Sequence, residues 1–396
     1  MPGKRSQGIR VVACLFGILF LGVADNQIIS PLLPAIRSEF GKSTHDVGFL
    51  FTGYALMAGL SALLWGPLSD SLGSKPGLAG GLAVFSVGSA ISFSSRSFAL
   101  LLTGRIVTGM GASLLSLNTI AYAADFFPYA RRGWAMSSIF SSYFAALILG
   151  VPLGSVIADY LGWNSVFAVA GMTAVALLAS QRRLLVGLPP RKSRRPVAWA
   201  VADHLKIYPS FLRSARTAGA LASSFFASGG ITGFVAFVGV WLHDSFGIPA
   251  KQVGLIFLAS GAAALLVAPF AGSLSDRIGK RIQFIGSNLA MTVLLLMVPN
   301  LKWGIPLFLA FALISLAAAF RQGPMEALIT EVVHPDRRGT FIALKNSFSQ
   351  LGIAAAAFVS GLLFEWKGYL AVCWLCAAAN LLAAAAMALL VRDRSL

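Results

Sequence analysis

Two charged side chains lie inside long apolar stretches of the chain. Asp25 follows the run "LFGILFLGVA", and Arg105 opens the run "RIVTGMGASLLSL". Charges are costly inside a membrane and usually serve a function there. A carboxylate in such an environment, with a cation nearby, can exchange protons. We therefore expect Asp25 to be a proton-coupled carboxylate with Arg105 as its partner. There are two alternatives: Asp25 and Arg105 form a static buried ion pair, or Asp25 contacts a cationic substrate directly.

A second pair of charges, Arg321 and Glu326, lies in the apolar segment "FRQGPMEALITE". Gly323 and Pro324 stand between them, and proline removes a helical hydrogen bond, so the sequence predicts a break or kink. The two charges are candidates for a gate or, equally, for a structural pair near the membrane interface.

Several amide side chains also lie in apolar stretches. Each is a candidate to line a central cavity, although a single amide more often forms an interhelical hydrogen bond. They are Asn26, Gln27, Asn118, Asn346 and Gln350.

The elements that carry these residues are predicted to be membrane-spanning helices. Of the 396 residues, 57% are hydrophobic and only 11% are charged, less than half of the roughly 25% charged residues of a soluble domain. Apolar runs of about 20 residues recur, which is the length that crosses a bilayer as a helix. Twelve spans are predicted, at 11–36, 46–68, 76–95, 98–123, 134–160, 163–181, 215–242, 250–274, 282–299, 303–330, 340–364 and 368–391.

The net charge of +17 indicates membrane topology rather than nucleic-acid binding. With the N-terminus inside, 23 of the 31 basic residues fall on the cytoplasmic side, as the positive-inside rule requires. Both termini are therefore predicted to be cytoplasmic. The N-terminal apolar run continues past Asp25 through "SPLLPAI", which favours a first span over a signal peptide.

Cysteine and histidine give no sign of metal or nucleophilic chemistry. Cys14, Cys373 and Cys376 fall inside predicted spans and are expected to be small core residues. The four histidines all lie outside the predicted spans. No metal, no other cofactor and no enzymatic activity is predicted.

A charged, glycine-bearing phrase occurs twice, as "GPLSDSLGSK" at 66–75 and "GSLSDRIGKR" at 272–281, 206 residues apart. The same offset relates "RRG" at 131–133 to "RRG" at 337–339. A match that keeps register across both charged loops predicts two parallel six-helix repeats around a midplane site.

These features together resemble the major facilitator superfamily over essentially the whole chain. The loop phrase, "GRIVTGMGAS" in span 4, "GVPLGS" in span 5 and "ADNQIISPLLPAI" in span 1 resemble the drug/proton antiporter and sugar-efflux branch. The resemblance implies an all-α membrane protein of twelve helices in two pseudo-symmetric halves. It also implies a midplane substrate site reached by alternating access.

In that family the loop phrase acts as a conformational latch between the halves, so the resemblance implies a cytoplasmic latch here. The first copy has Ser71 and Ser74 where the family usually has basic residues, which predicts a weaker latch on that side. The implied latch residues are Gly66, Asp70, Gly73, Lys75, Asp125, Arg131 and Arg132, with Gly272, Asp276, Arg277, Gly279, Lys280, Arg281, Glu331, Arg337 and Arg338 from the second repeat.

The span 5 phrase implies an antiporter-type seam at Gly150, Pro152 and Gly154, where small residues allow a neighbouring helix to approach closely. A role in packing alone is the alternative.

The predicted organisation is an N-terminal bundle at 1–181, a basic cytoplasmic linker at 182–214 and a C-terminal bundle at 215–396. The linker is rich in basic residues and is expected to contact anionic lipid headgroups.

The sequence thus predicts a monomeric secondary transporter of the inner membrane. We expect proton-coupled export of a small organic molecule or drug, with protons as the coupling ion and no nucleic-acid partner. An uncoupled facilitator or importer of a small metabolite, and an exporter of lipid-like molecules, are the alternatives.

Overall fold

The computed structural model describes residues 2–188, 206–333 and 338–391, and the regular structure within them is helical. Twelve helical stretches are long and apolar enough to cross a membrane. They match the twelve predicted spans in order, and ten of them match within a few residues in position. The stretches Gln7–Gln27 and Ala250–Val267 end before the predicted bounds at 36 and 274. The predicted all-α fold with twelve spans is therefore confirmed.

The first six spans are built from nine helices. These are α1 (Pro2–Gln27), α2 (Ile29–Phe40), α3 (Thr44–Leu72), α4 (Ser74–Phe93), α5 (Phe98–Phe126), α6 (Tyr129–Phe140), α7 (Ser142–Ala145), α8 (Val151–Leu161) and α9 (Asn164–Leu184). Span 1 is α1 with α2, and span 5 is α6, α7, a π-helical turn (Ala146–Gly150) and α8.

The second half follows α10, the described 206–213 segment at the end of the linker. Its spans are α11 (Ala215–Phe246), α12 (Ala250–Ile278), α13 (Lys280–Met297), α14 (Ile305–Val332), α15 (Arg338–Lys367) and α16 (Tyr369–Leu390). A short 3₁₀ turn (Val298–Asn300) follows α13. Because the number of spans in each half is even, one end of the bundle holds the start of α1, the end of α16 and the described segments on either side of 189–205, a stretch that lies outside the described residues. We call this the terminal end and the other the opposite end.

Span 1 is divided at Ile28, three residues after Asp25. Pro31 has no N–H to donate to the carbonyl of Gln27, and its ring crowds that carbonyl, so the regular helix cannot continue unchanged. Pro34 does the same to the carbonyl of Ser30. The sequence therefore places an irregular turn next to the buried acid.

The internal repeat is visible in the backbone. Gly73 and Gly279, 206 residues apart, both end a span in a conformation with φ of 90° and 92°. Residues other than glycine rarely adopt this conformation, so the two glycines make the same tight turn possible. Gly162 and Gly368 form a second equivalent pair, with φ of 84° and 74°.

The two halves meet along pseudo-symmetric seams. Span 2 (α3) packs against span 11 (α15), span 5 packs against span 8 (α12), and span 1 (α2) packs against span 7 (α11). Spans 2 and 8 are equivalent in the repeat, as are spans 5 and 11. The first two seams are therefore the same contact made twice.

The buried apolar core is distributed unevenly along the bundle. At the opposite end one cluster includes residues of both halves, among them Ile36, Phe51, Phe237 and Val253. At the terminal end the core divides into a cluster of the first half around Leu15 and a cluster dominated by the second half. Apolar packing therefore holds the halves together mainly at the opposite end.

The closest approach at the span 1–span 7 seam depends on Gly239. A Cβ atom at this position would overlap the carbonyl of Ser30 and lie 3.0 Å from Cα of Pro31. The Ser30 hydroxyl instead donates to Val235 O at 2.5 Å and accepts from the Gly239 N–H at 3.3 Å.

We predict that Gly239→Ala lowers the free energy of unfolding by about 2 kcal/mol, because the added methyl forces the two backbones apart. Gly80→Ala is the matched control, since a Cβ there meets nothing within 4 Å. That control should raise stability, by at most about 1 kcal/mol, through helix propensity. Thermal unfolding of the solubilised protein measures both effects. Equal changes in melting temperature for the two variants would contradict a close backbone approach at Gly239.

Candidate functional site between the two halves

Asp25 of α1 and Arg105 of α5 form a buried ion pair. Arg105 Nη1 donates to Asp25 Oδ2 at 2.6 Å, and the two side chains are 0% and 1% exposed. The guanidinium lies over the ring of Tyr54 at 4.8 Å and near that of Phe167 at 5.7 Å. Spans 1, 2, 4 and 6 thus converge on one charge.

This ion pair leaves hydrogen-bonding capacity unused. Asp25 Oδ1 and the Nε and Nη2 atoms of Arg105 are buried without a hydrogen-bond partner in the described part of the chain. An unsatisfied buried polar group costs about 1–3 kcal/mol. A pair with only structural duties is expected to be satisfied more fully. Oδ1 can accept a proton or a ligand donor while Oδ2 keeps its hydrogen bond to Arg105.

Close helix packing positions the pair. A Cβ at Gly109 of α5 would lie 2.9 Å from Cα of Tyr54, so only glycine lets α5 approach α3 this closely. Span 5 approaches span 1 in a similar way, because a Cβ at Gly150 would lie 2.6 Å from the Cβ of Ala24, the residue before Asp25. The glycines of "GRIVTGMG" and "GVPLGS" therefore bring four spans close around the acid.

Tyr143 of α7 extends this cluster toward the second half. Its side chain interacts electrostatically with Tyr54 in the first half and with Glu326 in the second. Its own side chain is 43% exposed. Tyr143 and the 44%-exposed Glu326 therefore border accessible space, whereas the Asp25–Arg105 pair is sealed from it.

Glu326 of α14 pairs with a residue that sequence analysis did not select. Lys345 Nζ donates to Glu326 Oε1 at 2.6 Å, with the lysine side chain 8% and the glutamate side chain 44% exposed. Lys345 lies within span 11. It is one of the 23 basic residues that the charge distribution predicted on the cytoplasmic side. Its position inside the predicted 340–364 span was the signal that could have identified it.

Arg321 does not contact Glu326, contrary to the structural pair considered above. Its Nη1 donates to Asn380 Oδ1 at 3.0 Å and to Asn288 Oδ1 at 3.4 Å, between α13, α14 and α16. Five residues on a helix correspond to about 500°, so the two side chains point about 140° apart. Glu326 faces the other half, and Arg321 faces the interior of its own half.

Pro324 does not interrupt α14, which runs from Ile305 to Val332. The carbonyl that loses its partner is that of Phe320, four residues earlier. Gln283 Nε2 of α13 donates to Phe320 O at 2.9 Å and so replaces the missing bond. A side chain from a neighbouring helix thereby preserves the span, as commonly happens in membranes.

The other amides divide between the seam and the helix interior. Asn118 is fully buried, donates to Leu114 O at 2.8 Å and packs against Gly77, so it lies inside the first half. Gln350 packs against Gly59 of α3, at the span 2–span 11 seam. Three more amides are half-buried, namely Asn26, Gln27 and Asn346.

The basic residue that ends each loop phrase caps a helix of its own half. Lys75 Nζ donates to Leu185 O at 2.6 Å, at the end of α9. Arg281, its equivalent in the repeat, donates to the carbonyls of Met387 and Ala388 near the end of α16. Cations stabilise helix C-termini. Neither bond crosses between the halves in this conformation.

The remaining loop residues of the implied latch are only partly described. Arg277 and Arg131 are exposed, Arg132 is half-buried, and Asp125 and Lys280 have partners. Gly66 and Gly272 lie in the last turns of α3 and α12. The residue Arg337 and the side chains of Asp70, Asp276, Glu331 and Arg338 lie outside the described part of the chain.

The span 5 phrase contributes to both neighbours. Gly154 faces Ile28 of span 1, and Pro152 faces Gly254 of span 8, where a Cβ would lie 3.1 Å from the proline. The π-helical turn that ends at Gly150, two residues before Pro152, accommodates the hydrogen bond that proline cannot donate. The predicted seam residues thus contact span 1 of their own half and span 8 of the second half.

The opposite end is closed by an ion pair between spans 1 and 7. Arg37 Nη1 and Nη2 donate to the two carboxylate oxygens of Asp244 at 2.8 and 2.5 Å. Nearby, Asp159 Oδ2 of α8 accepts from the Lys251 N–H at the start of α12 at 3.2 Å. Both contacts join the first half to the second.

No cluster of His, Cys, Asp and Glu side chains suited to a metal ion is present among the described residues.

Comparison with known proteins identifies the family. The family model of the Major Facilitator Superfamily matches residues 15–240 and again 220–395. The chain belongs to this superfamily. The resemblance to the superfamily noted in the sequence is thereby confirmed, and the protein is a multi-pass membrane transporter rather than an enzyme.

Relatives and solved structures agree with this assignment. The chain is 25% identical to the uncharacterized MFS-type transporter YbcL of Bacillus subtilis (strain 168), over 90% of this chain and 89% of the relative. Among solved structures it resembles a D-xylose–proton symporter, with a TM-score of 0.77, 20% identity and coverage of 97% and 98%. It also resembles the human organic anion transporter MFSD10, with a TM-score of 0.74, 20% identity and coverage of 96% and 99%. At these identities the structures support the fold alone. Transporters of this superfamily bind small molecules, commonly work as monomers and generally need no cofactor.

We predict that Arg37→Asp opens the opposite end, because it places two carboxylates where an ion pair stands. A cysteine introduced as Ser30→Cys, at a position that is fully buried here, should then react with a thiol reagent about fivefold faster. This corresponds to the roughly 1 kcal/mol of a partly exposed pair. The native cysteines are all buried and contribute little background.

The double variant Arg37→Asp with Asp244→Arg restores the pair with reversed polarity and should slow the reaction again. An unchanged rate in the single variant, or no recovery in the double variant, would show that the pair does not hold this end closed.

Proposed function

We propose that this transporter couples export of a small organic molecule to proton entry across the inner membrane. The buried Asp25–Arg105 pair, with an unpartnered carboxylate oxygen, is the observation that carries the proposal. It lies in the first half, next to the accessible space that Tyr143 borders.

The terminal end is assigned to the cytoplasm. This assignment rests on the distribution of the basic residues: the sequence predicts 23 of 31 on that side, and 22 remain when Lys345 is placed within span 11. The basic linker 182–214 would then lie at the anionic headgroups of the inner leaflet.

In this orientation the closed opposite end faces outward, and the conformation is ready to receive substrate from the cytoplasm. The bundles 1–181 and 215–396 move as units about the paired seams. Breaking the Arg37–Asp244 pair releases substrate outward, and the loop phrases hold the cytoplasmic end in the other state. Glu326 and Lys345 then form the charged pair of the gate at the cytoplasmic end, and Arg321 is not part of it.

Asp25 carries the coupled proton. Its carboxylate is sealed in the present conformation, with its side chain 1% exposed. It must therefore exchange its proton when the halves rearrange. Arg105 stays in place as the positive partner and compensates the charge when the proton leaves.

The test uses inverted membrane vesicles with an acidic interior generated by respiration. A fluorescent dye follows internal pH while cationic dyes, nucleosides, sugars, lysolipids and amino acids are added in turn. We expect one class to cause proton release from wild-type vesicles, and Asp25→Asn to lose at least 90% of that rate. Glu365→Gln removes an exposed acid elsewhere in the membrane protein and should leave the rate unchanged.

Substrate flux that needs no gradient and is equal in wild type and Asp25→Asn would contradict proton coupling. It would identify an uncoupled facilitator or importer. Flux of lysolipids alone would identify an exporter of lipid-like molecules.

A further inference from the structure

The Glu326–Lys345 pair differs from the Asp25–Arg105 pair in its accessibility. Both side chains of the latter are buried, whereas Glu326 is 44% exposed and only its lysine is buried, at 8%. Glu326 Oε1 accepts from Lys345 Nζ at 2.6 Å and from Gln322 Nε2 at 3.2 Å. Its other oxygen, Oε2, has no hydrogen-bond donor in the described part of the chain. The pair therefore offers a free acceptor to the accessible space.

Glu326 of the pair faces the first half of the protein. Tyr143 of α7 lies within electrostatic range of Glu326. Lys345 lies seven residues from the start of α15, which is about 10 Å from the terminal end of that helix. A molecule entering from the terminal end would meet this pair before it could reach Asp25.

Charge balance restricts what can bind there. The site is neutral as it stands, and the nearest other cation on α14, Arg321, faces Asn288 and Asn380 instead. A cationic ligand at Oε2 would add an uncompensated positive charge beside the buried lysine. An anionic ligand that drew Lys345 away would leave Glu326 without its partner. Both are unfavourable because Lys345 is only 8% exposed, so water compensates poorly for a net charge beside it.

A zwitterion avoids both penalties because it can exchange partners with the pair. Its ammonium group donates to Glu326 Oε2, its anionic group accepts from Lys345, and the total charge stays zero. Because Nζ and Oε1 are only 2.6 Å apart, the two charges of the ligand must also be close neighbours, on the same carbon or on adjacent carbons. The phenol of Tyr143 can contact the body of the ligand.

We propose that Glu326 and Lys345 form a recognition site for small zwitterions that carry an ammonium group and an anionic group on the same or adjacent carbons. This inference rests on the proposed function in that it names the substrate class of the transporter.

Binding to the full-length protein in detergent tests the proposal without any gradient. The probes are aromatic and aliphatic α-amino acids, their methyl esters, which are cations, and their N-acetyl derivatives, which are anions. Isothermal titration should show at least one amino acid that binds at least tenfold more tightly than its own ester and its own N-acetyl form. If no amino acid binds, or if an ester binds as tightly as its parent, the proposal is wrong.

Variants assign the binding to the pair. Glu326→Gln and Lys345→Gln should each weaken amino-acid binding at least tenfold, and Glu365→Gln should not change it. The charge-swapped double variant, Glu326→Lys with Lys345→Glu, keeps both charges and should bind within about threefold of wild type. Unchanged binding in both single variants would overturn the assignment. If a variant fails to fold, the comparison of amino acid with ester on the wild-type protein still tests the proposal.

The outcomes separate this inference from the proposed function. If an amino acid binds in detergent but no compound causes proton release from vesicles, the proposed proton-coupled export is wrong and the recognition site is supported. Proton release by cationic dyes, with no amino-acid binding, supports the proposed function and overturns the zwitterion site.

Discussion

The structure depends on a single buried electrostatic contact, the bond between Asp25 and Arg105. Two charges removed from water require each other, since either one alone would be strongly destabilising in an apolar bundle. Four spans approach closely around the pair, and the glycines at 109 and 150 make that approach possible. Yet the pair is incompletely satisfied, because Asp25 Oδ1 and two guanidinium nitrogens have no hydrogen-bond partner in the described chain. Such a pair is held in place by packing, and its unpartnered Oδ1 is the atom at which the proposed protonation would occur.

The rest of the bundle determines which side can reach that pair. Apolar packing and the Arg37–Asp244 bridge join the halves at the opposite end, while the core divides in two at the terminal end. Tyr143 and Glu326 border the space that remains between the halves. Two charged pairs, one sealed and one accessible, thus lie at different depths of the same interior. A rocking motion about the repeated seams would exchange which end is closed.

Much of this arrangement could be predicted from the sequence. Span length and hydropathy predicted twelve helices, and the 206-residue offset predicted two equivalent halves. The placement of two opposite charges inside apolar stretches predicted that Asp25 and Arg105 would be partners. Other features required the structure. Lys345 was assigned by its charge to the loops, and Tyr54 and Tyr143 were not distinguished from other aromatic residues. The direction of a side chain around an apolar helix decides such contacts, and hydropathy does not reveal it. Arg321 and Glu326 are close in sequence but lie on different faces of α14.

The central claim is that Asp25 changes its protonation between the two conformations, and infrared difference spectroscopy tests it directly. Wild-type protein would be compared with the Arg37→Asp variant, in which the opposite end is predicted to open, and Asp25→Asn would be introduced into each to assign the signal. The account predicts a protonated-carboxyl band that appears in the Arg37→Asp protein at acidic pH, is weak in wild type and vanishes with Asp25→Asn. An Asp25 carboxyl that is ionised in both conformations would contradict the account and show a static ion pair.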